Sequence, residues 1–277
     1  MQRGSDKEIV IRPGGNVAGY WRDIWMYREL FVFLAWRDIL VRYKQTVIGV
    51  LWCILKPVLT MIIFTVVFGK LARLPSDGIP YPILVFSALL PWQFFAGAVT
   101  ECSNSLVGNA NLLSKVYFPR FIVPASTVMV SLVDFLVAFT VLIGLMLFYR
   151  VEPGWQLLLL PVFAGLAFFS ALGLGLLFAA LNVNYRDFRH LVPFMMQFGL
   201  FVSPVGFSSA IVPERWRLLY ALNPMVAIID GFRWSVAGAS TGLDLQSSCL
   251  SGAVSLMLFA SGIWYFRRTE RSFADVI

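Results

Sequence analysis

The sequence predicts an all-α integral membrane protein: six transmembrane helices, an interface helix ahead of the first, and short re-entrant or interfacial helices between spans five and six. Three observations carry this. Hydrophobic residues make up 59% of the 277 residues and charged residues only 13%, against about 25% charged in an average soluble domain. Mean hydropathy is +0.78, so too little polar surface exists to cover a soluble globule. The charges that do occur border long uncharged runs.

Those runs define the spans. Residues 45–69 contain one charge, Lys56; residues 78–100 contain none; residues 121–149 contain Asp134 alone. Residues 153–185, 191–213 and 245–266 are uncharged. A helical crossing needs about 20 mainly apolar residues, and open sheets cannot face lipid, so six helical spans are expected. A further uncharged run, 218–229, is too short to cross. Pro204, Pro213 and Pro224 with Gly206, Gly231 and Gly238 punctuate that region, which predicts a pair of short helices there. Helix breakers at membrane depth are tolerated only where the freed backbone is buried in protein or lines a cavity.

Orientation follows from the basic residues. With the N-terminus in the cytoplasm, 15 of the 22 Lys and Arg fall on the cytoplasmic side, 6 fall outside, and Lys56 lies within a span. Both termini are then cytoplasmic. The net charge of +7 is thus a topology signal, not a nucleic-acid footprint. Nothing in the first thirty residues has the short apolar core of a signal peptide.

The expected organisation is a cytoplasmic tail (1–21), an interface helix (22–46), a six-span domain (47–268) and a second tail (269–277). On a helical wheel, the interface helix places Arg22, Glu29, Arg37 and Lys44 on one stripe and Arg28, Asp38 and Arg42 on another. Leu30, Leu34 and Val41 form one apolar flank between them; Trp25, Val32, Trp36, Ile39 and Tyr43 form the other. A plain surface amphipath has a single apolar face. Two flanks predict a helix that touches both membrane and protein, with a simple lipid-surface anchor as the alternative.

The loop SLVGNANLLSKVYFPR (105–120) is the longest expected on the cytoplasmic side between spans. Asn can cap a short helix there, and Leu112, Leu113, Val116 and Tyr117 would give it an apolar face that requires covering, by another protein or by the chain itself. Asp134 should meet a polar partner, because an ionised carboxylate near a helix centre costs about 2.5–3.5 kcal/mol on insertion scales; a structural contact is favoured over a proton relay. Ala167, Ala171, Gly175 and Ala179 recur every four residues, which lets two helices approach closely. No catalytic residues are expected. A single histidine, His190, cannot build a zinc site or a dyad, and three cysteines show no ligand spacing. The chain also lacks a phosphate-binding GxxxxGK[ST] loop, so energy for uphill transport must come from another chain.

Several segments together resemble a known family. They are WRDILVRYKQTVIG (36–49) continuing through Trp52 and Lys56-Pro57, LPWQFF (90–95), NSLVGN (104–109), LSKVYFPR (113–120), NYRD (184–187) and LNPM (222–225). In this order, over about residues 30–240, they resemble the permease of bacterial type-2 ABC exporters of surface polysaccharide: O-antigen, capsule or teichoic acid. The resemblance implies an inner-membrane homodimer working with two copies of a separate ATP-binding subunit, which uses ATP and Mg; this chain holds no cofactor. It implies a polysaccharide linked to a polyprenyl diphosphate as substrate, with O-antigen as the expected glycan, and no nucleic acid. It places an ATPase-coupling element at Asn109, Leu112, Leu113, Lys115, Tyr117, Phe118 and Arg120, and periplasmic gate helices around Pro204, Pro213, Asn223 and Pro224.

Physical chemistry adds candidates. A lipid diphosphate needs cations at the inner interface; Arg37, Arg42, Lys44 and Lys56 are best placed, with Asp38 and Tyr43 beside them. Trp52, Trp92, Phe94, Phe95 and Phe201 are candidates to stack on sugar rings. The competing reading from another class, a polytopic enzyme acting on lipid-linked sugars, requires acids clustered at one membrane face, and the 15 acids are scattered. A same-fold exporter of a drug or small lipid is the nearer alternative.

Overall fold

A computed structural model describes residues 17–44, 49–76, 78–152, 154–238, 244–270 and 273. Expectations for the rest of the two tails therefore lie outside the described residues. Helices α1 (Val17–Met26) and α2 (Arg28–Lys44) precede α3 (Gly49–Phe64), which continues as a π-helical segment, Thr65–Leu71. Then come α4 (Tyr81–Gly108), the single turn α5 (Ala110–Leu113), α6 (Ile122–Phe148), α7 (Leu160–Asn184), α8 (Phe188–Val202), α9 (Glu214–Tyr220), α10 (Pro224–Ala237) and α11 (Leu245–Thr269). No strand occurs among the described residues.

Five helices among the described residues are long and apolar enough to cross a membrane: Leu51–Leu71, Tyr81–Gly108, Ile122–Phe148, Trp155–Asn184 and Leu245–Thr269. They correspond to five of the six uncharged runs. The remaining run, 191–213, forms the 15-residue α8, which rises roughly 22 Å at 1.5 Å per residue, short of the ~30 Å hydrocarbon layer. At Ser203 the chain turns extended (ψ 153°), ahead of Pro204.

α4 is the centre of the bundle. Its residues from Ile83 to Leu106 are mostly buried, and it packs against α6 on one side and α7 on the other. The small residues of α7 serve these contacts: Ala167, Ala171, Gly175 and Ala179 are all buried, and a side chain at Gly175 would press on the Cβ of Cys102 in α4 at 2.7 Å. The four-residue spacing is thus internal packing. α11 covers the other face of α7, where Gly173 and Gly262 bring the two backbones together.

The irregular stretch after α8 is anchored by one buried cation. Arg233 of α10, only 3% exposed, donates Nη2 to Val205 O (3.0 Å), Nη1 to Phe207 O (2.9 Å) and Nε to Leu84 O (3.2 Å). Asp230 one turn earlier lies 3.7 Å from it. Tyr81 adds a hydrogen bond from its hydroxyl to Gly206 O at 2.6 Å. The carbonyls of Val205, Gly206 and Phe207 in the irregular stretch are therefore satisfied inside the protein.

The predicted interface helix is two helices joined at Tyr27, with hydrogen bonds running on across the joint (Tyr27 N to Asp23 O, Phe31 N to Tyr27 O). Leu34 and Ala35 face the protein, while Trp25, Val32 and Trp36 are exposed, so one helix stripe meets protein and another does not. Two residues depart from the wheel: Val41 is exposed and Tyr43 turns inward. Asp134 imposes this, because Arg42 and Tyr43 both reach it from the last turn of α2.

Candidate functional site

A cavity of about 890 Å³ opens between α3, α4, α6 and α8, with the end of α2 at one edge. It gathers the charges that the sequence places within or beside apolar runs. Arg42, Lys56, Glu101 and Asp134 line it, with Gln93, Thr100, Ser131 and Gln197. Lys56 reaches this position one residue before Pro57, which sits inside α3 and removes a backbone donor; Thr60 Oγ1 donates to Lys56 O at 2.8 Å.

Asp134 joins α6 to α2 and α3. Arg42 Nη2 lies 2.8 Å from its Oδ2, the Tyr43 hydroxyl donates to its Oδ1, and Cys53 Sγ is 3.4 Å away. Arg42 also approaches Glu101 at 3.7 Å. Arg42 is thus held by two carboxylates, whereas the described ion pairs do not include Lys56. Of the cavity cations, Lys56 is the one whose charge is not neutralised by a carboxylate of the described chain.

Asp134→Leu is expected to leave α6 inserted, since it removes a carboxylate that costs about 2.5–3.5 kcal/mol at a helix centre. The end of α2 loses its shared acceptor and loosens. Cys53, half-buried beside Asp134, then reacts severalfold faster with a maleimide in a Cys249→Ser background; unchanged labelling would mean that other contacts hold α2.

The remaining candidates divide. Trp52, Trp92 and Phe94 line the cavity with Arg42 and Lys56; Phe95 and Phe201 do not. Trp52 is 58% exposed, but Trp92, Phe94 and Phe95 are buried: Trp92 meets Phe95 with ring centroids 5.8 Å apart, and Phe94 packs between Phe135 and Phe168. Phe201 of α8 is largely exposed and outside the cavity lining. Arg37 pairs with Asp38 at 2.7 Å and donates to Asn109 Oδ1 at 3.1 Å, outside the cavity. Lys44 is exposed at the end of α2.

Asn109 does not cap α5 with its side chain. Its amide instead donates back to Ser105 O at 2.9 Å while its oxygen takes the Arg37 bond, so α2 is tied to the start of the 109–120 loop. Within that loop Leu112 and Leu113 pack partly against the core, and Phe118 is buried. Val116 and Tyr117 point outward, Tyr117 being 69% exposed, with Lys115 exposed beside them. Arg120 is bound to Glu270.

In the 203–224 region, Asn223 caps α10: its Oδ1 accepts from Met225 N at 3.0 Å, and its amide donates to Ser203 Oγ at 3.0 Å. Pro213 precedes α9 and Pro224 opens α10, positions where a missing N–H costs nothing.

Residues 29–237 match the family model described as ABC-2 type transporter. The chain belongs to the ABC-2 type transporter family. It is 32% identical over 261 residues to the O-antigen export system permease protein RfbA of Myxococcus xanthus, covering 92% of this chain and 98% of that protein. Two RfbA permeases of Klebsiella pneumoniae are 27% and 26% identical, each over 90% of this chain and 95% of their own length. As an ABC-2 transporter chain with several membrane-crossing helices, it is a multi-pass permease subunit, and the cavity, the exposed 115–117 turn and the α8–α10 region are elements of that permease.

Two structural anchors were not foreseen from sequence. Arg233 counts in the sequence as an outer cation; an arginine three residues after an aspartate inside an apolar stretch was its only signal. Glu270 carried none, since its contacts are 150 and 250 residues away.

Proposed function

We propose that this chain is the membrane subunit of an exporter that moves lipid-diphosphate-linked O-antigen across the bacterial inner membrane, driven by ATP hydrolysis in two copies of a separate subunit. The observation that carries the substrate is end-to-end similarity to O-antigen export permeases, reaching 98% of one relative's length. Both termini are assigned to the cytoplasm, since the basic excess lies at the end of the bundle that holds Arg37, Lys115 and Arg120.

In this reading α8 with residues 203–206 makes a sixth crossing. Two contacts support it: Phe188 at the start of α8 meets Phe178 near the end of α7, while Gly206 bonds Tyr81 at the opposite end of the bundle. α9 and α10 are then short gate helices on the outer side. Two copies of the chain enclose the path, because α3 and α8 flank the cavity and leave Leu59, Ile63, Phe194 and Phe198 exposed.

The chemistry assigned to the cavity is anion reception. A diphosphate leaving the inner leaflet meets Lys56, whose ammonium donates charge-assisted hydrogen bonds to phosphate oxygens. Arg42, held by Asp134 and Glu101, sets the local field and geometry, and Trp52 offers an exposed ring to the first sugars. Surface O-antigen should disappear when the chain is deleted and return with the wild-type copy. Lys56→Leu should reduce export about tenfold, the loss of one charge-assisted contact, while Lys56→Arg keeps most of it. Full export by Lys56→Leu would remove the lysine from the path.

A further inference from the structure

Three distant segments meet at the basic end of the bundle. Glu270, the residue after the last turn of α11, accepts the Tyr20 hydroxyl of α1 on Oε2 at 2.9 Å and the Arg120 backbone N–H on Oε1 at 2.8 Å. Arg120 closes the ring by donating Nη1 to Glu270 O at 2.6 Å.

The joint is sealed by rings and cations. Trp21 meets Phe121, Phe121 meets Phe266 and Phe266 meets Phe273, with centroids 5.8, 6.4 and 5.5 Å apart. Arg267 lies over the Tyr20 ring at 4.7 Å. Phe266 and Phe273 are fully buried. Glu270 itself is half-buried, and desolvation there pushes its carboxyl pKa up, opposed by the Tyr20 and Arg120 hydrogen bonds and by the Arg120 and Arg267 charges.

Arg120 is the last residue of the exposed 109–120 turn before α6. A displacement of that turn reaches α6 through the chain itself. It reaches α11 and α1 through the ring contacts of Phe121 and through Arg120, and Glu270 supplies the hydrogen-bonded tie. α11 in turn is locked to α7 at Gly173 and Gly262, so a rigid joint at Glu270 turns motion of one loop into motion of the bundle.

We propose that Glu270 is a positioning residue for energy coupling, which clamps the exit of the 109–120 turn and the N-terminal helix to the end of α11 so that they move as one body. This rests on the exporter reading. It touches neither nucleotide nor glycan and acts through Arg120.

The test uses the full transporter, membrane chain with its ATP-binding subunit, and reads three quantities: co-purification of the two, ATP hydrolysis by the complex, and surface glycan exported. Glu270→Ala should keep co-purification and hydrolysis but lower glycan exported per ATP hydrolysed by roughly two- to thirtyfold, the range for residues that carry coupling. Glu270→Gln, whose one oxygen still accepts from the Arg120 N–H while its NH2 can donate to the Tyr20 oxygen, should restore most of that ratio, and Tyr20→Phe should give a smaller loss of the same kind. An unchanged ratio in Glu270→Ala overturns the proposal, as does parallel loss of all three quantities in Glu270→Ala, Glu270→Gln and Tyr20→Phe, which would mark a fold-stabilising contact only. If Glu270→Ala alone fails to accumulate, Tyr20→Phe decides by the same ratio. Failure of the wild-type chain to co-purify an ATPase or export glycan would instead sink the exporter reading.

Discussion

Gly262→Val should leave almost no folded protein in the membrane. A Cβ at Gly262 would run into the backbone of Gly173 in α7, with its carbonyl carbon at 2.6 Å and its Cα at 2.9 Å. The reverse holds for Gly173, whose Cβ would lie 2.6 Å from both Leu258 O and Phe259 N. These obstacles are main chain, so no rotamer change relieves them, and the helices must separate. Inserting one methylene into a packed core costs about 1–3 kcal/mol; here a whole interface opens, and membrane helices hold together mainly by such close packing. Fluorescence-detected gel filtration of detergent extracts should show the monodisperse peak lost for Gly262→Val and Gly173→Val. Gly165→Ala and Gly252→Ala, with nothing within 4 Å of the added carbon, should elute and melt as wild type. A wild-type melting temperature for Gly262→Val would refute the close crossing.

That pair shows where sequence reasoning stops. The alternation of small residues in α7 was legible because it recurs within one helix, and a period of four is visible in a string. Which neighbour it faces was not, since the face bearing Gly175 meets α4 whereas Gly173, two residues earlier, meets α11. Charge spacing located the long helices because a charge in hydrocarbon is costly wherever it falls. A helix can outrun the charge that bounds its apolar run: Glu101 lies within α4, which continues to Gly108, with Arg42 3.7 Å from its carboxylate.

The same logic explains α8. Twenty-three uncharged residues read as a full crossing, and α8 covers only part of that run, because hydropathy is blind to where a helix gives way to irregular chain. Arg233 supplies donors to two carbonyls of that irregular chain, Phe207 and Val205, from 26 and 28 residues away. At the candidate site, the candidate residues for the cavity were legible as anomalies, a lysine or carboxylate among apolar neighbours. Their division of labour was not. Only the ion pairs separate Lys56 from Arg42, and only burial separates Trp52 from Phe94.

Tyr117→Glu should break the complex with the ATP-binding subunit while the membrane chain stays folded. The turn that bears Tyr117 is built so that Phe118 faces in and Tyr117 faces out: Phe118 is 4% exposed, Tyr117 69%. Leu112 and Leu113 lean on the core, so a charge at Leu113 would disturb fold and docking together, and Tyr117 is the cleaner probe. Tyrosine at the centre of an interface typically contributes at least about 2 kcal/mol, and a carboxylate in its place adds the cost of an unpaired charge in the contact. Affinity should therefore fall by roughly thirtyfold or more, enough to lose the subunit during washing. The melting temperature of the purified membrane chain should stay within a degree or two, because the side chain touches little of its own protein. Phe118→Glu separates the two effects from the other side: it puts a charge in the core and should destroy the chain before docking is in question. Recovery of the ATP-binding subunit with Tyr117→Glu at the wild-type ratio would show that docking uses another surface, and the exposed face of α2 around Trp36 and Leu40 would be the next to examine by the same substitution.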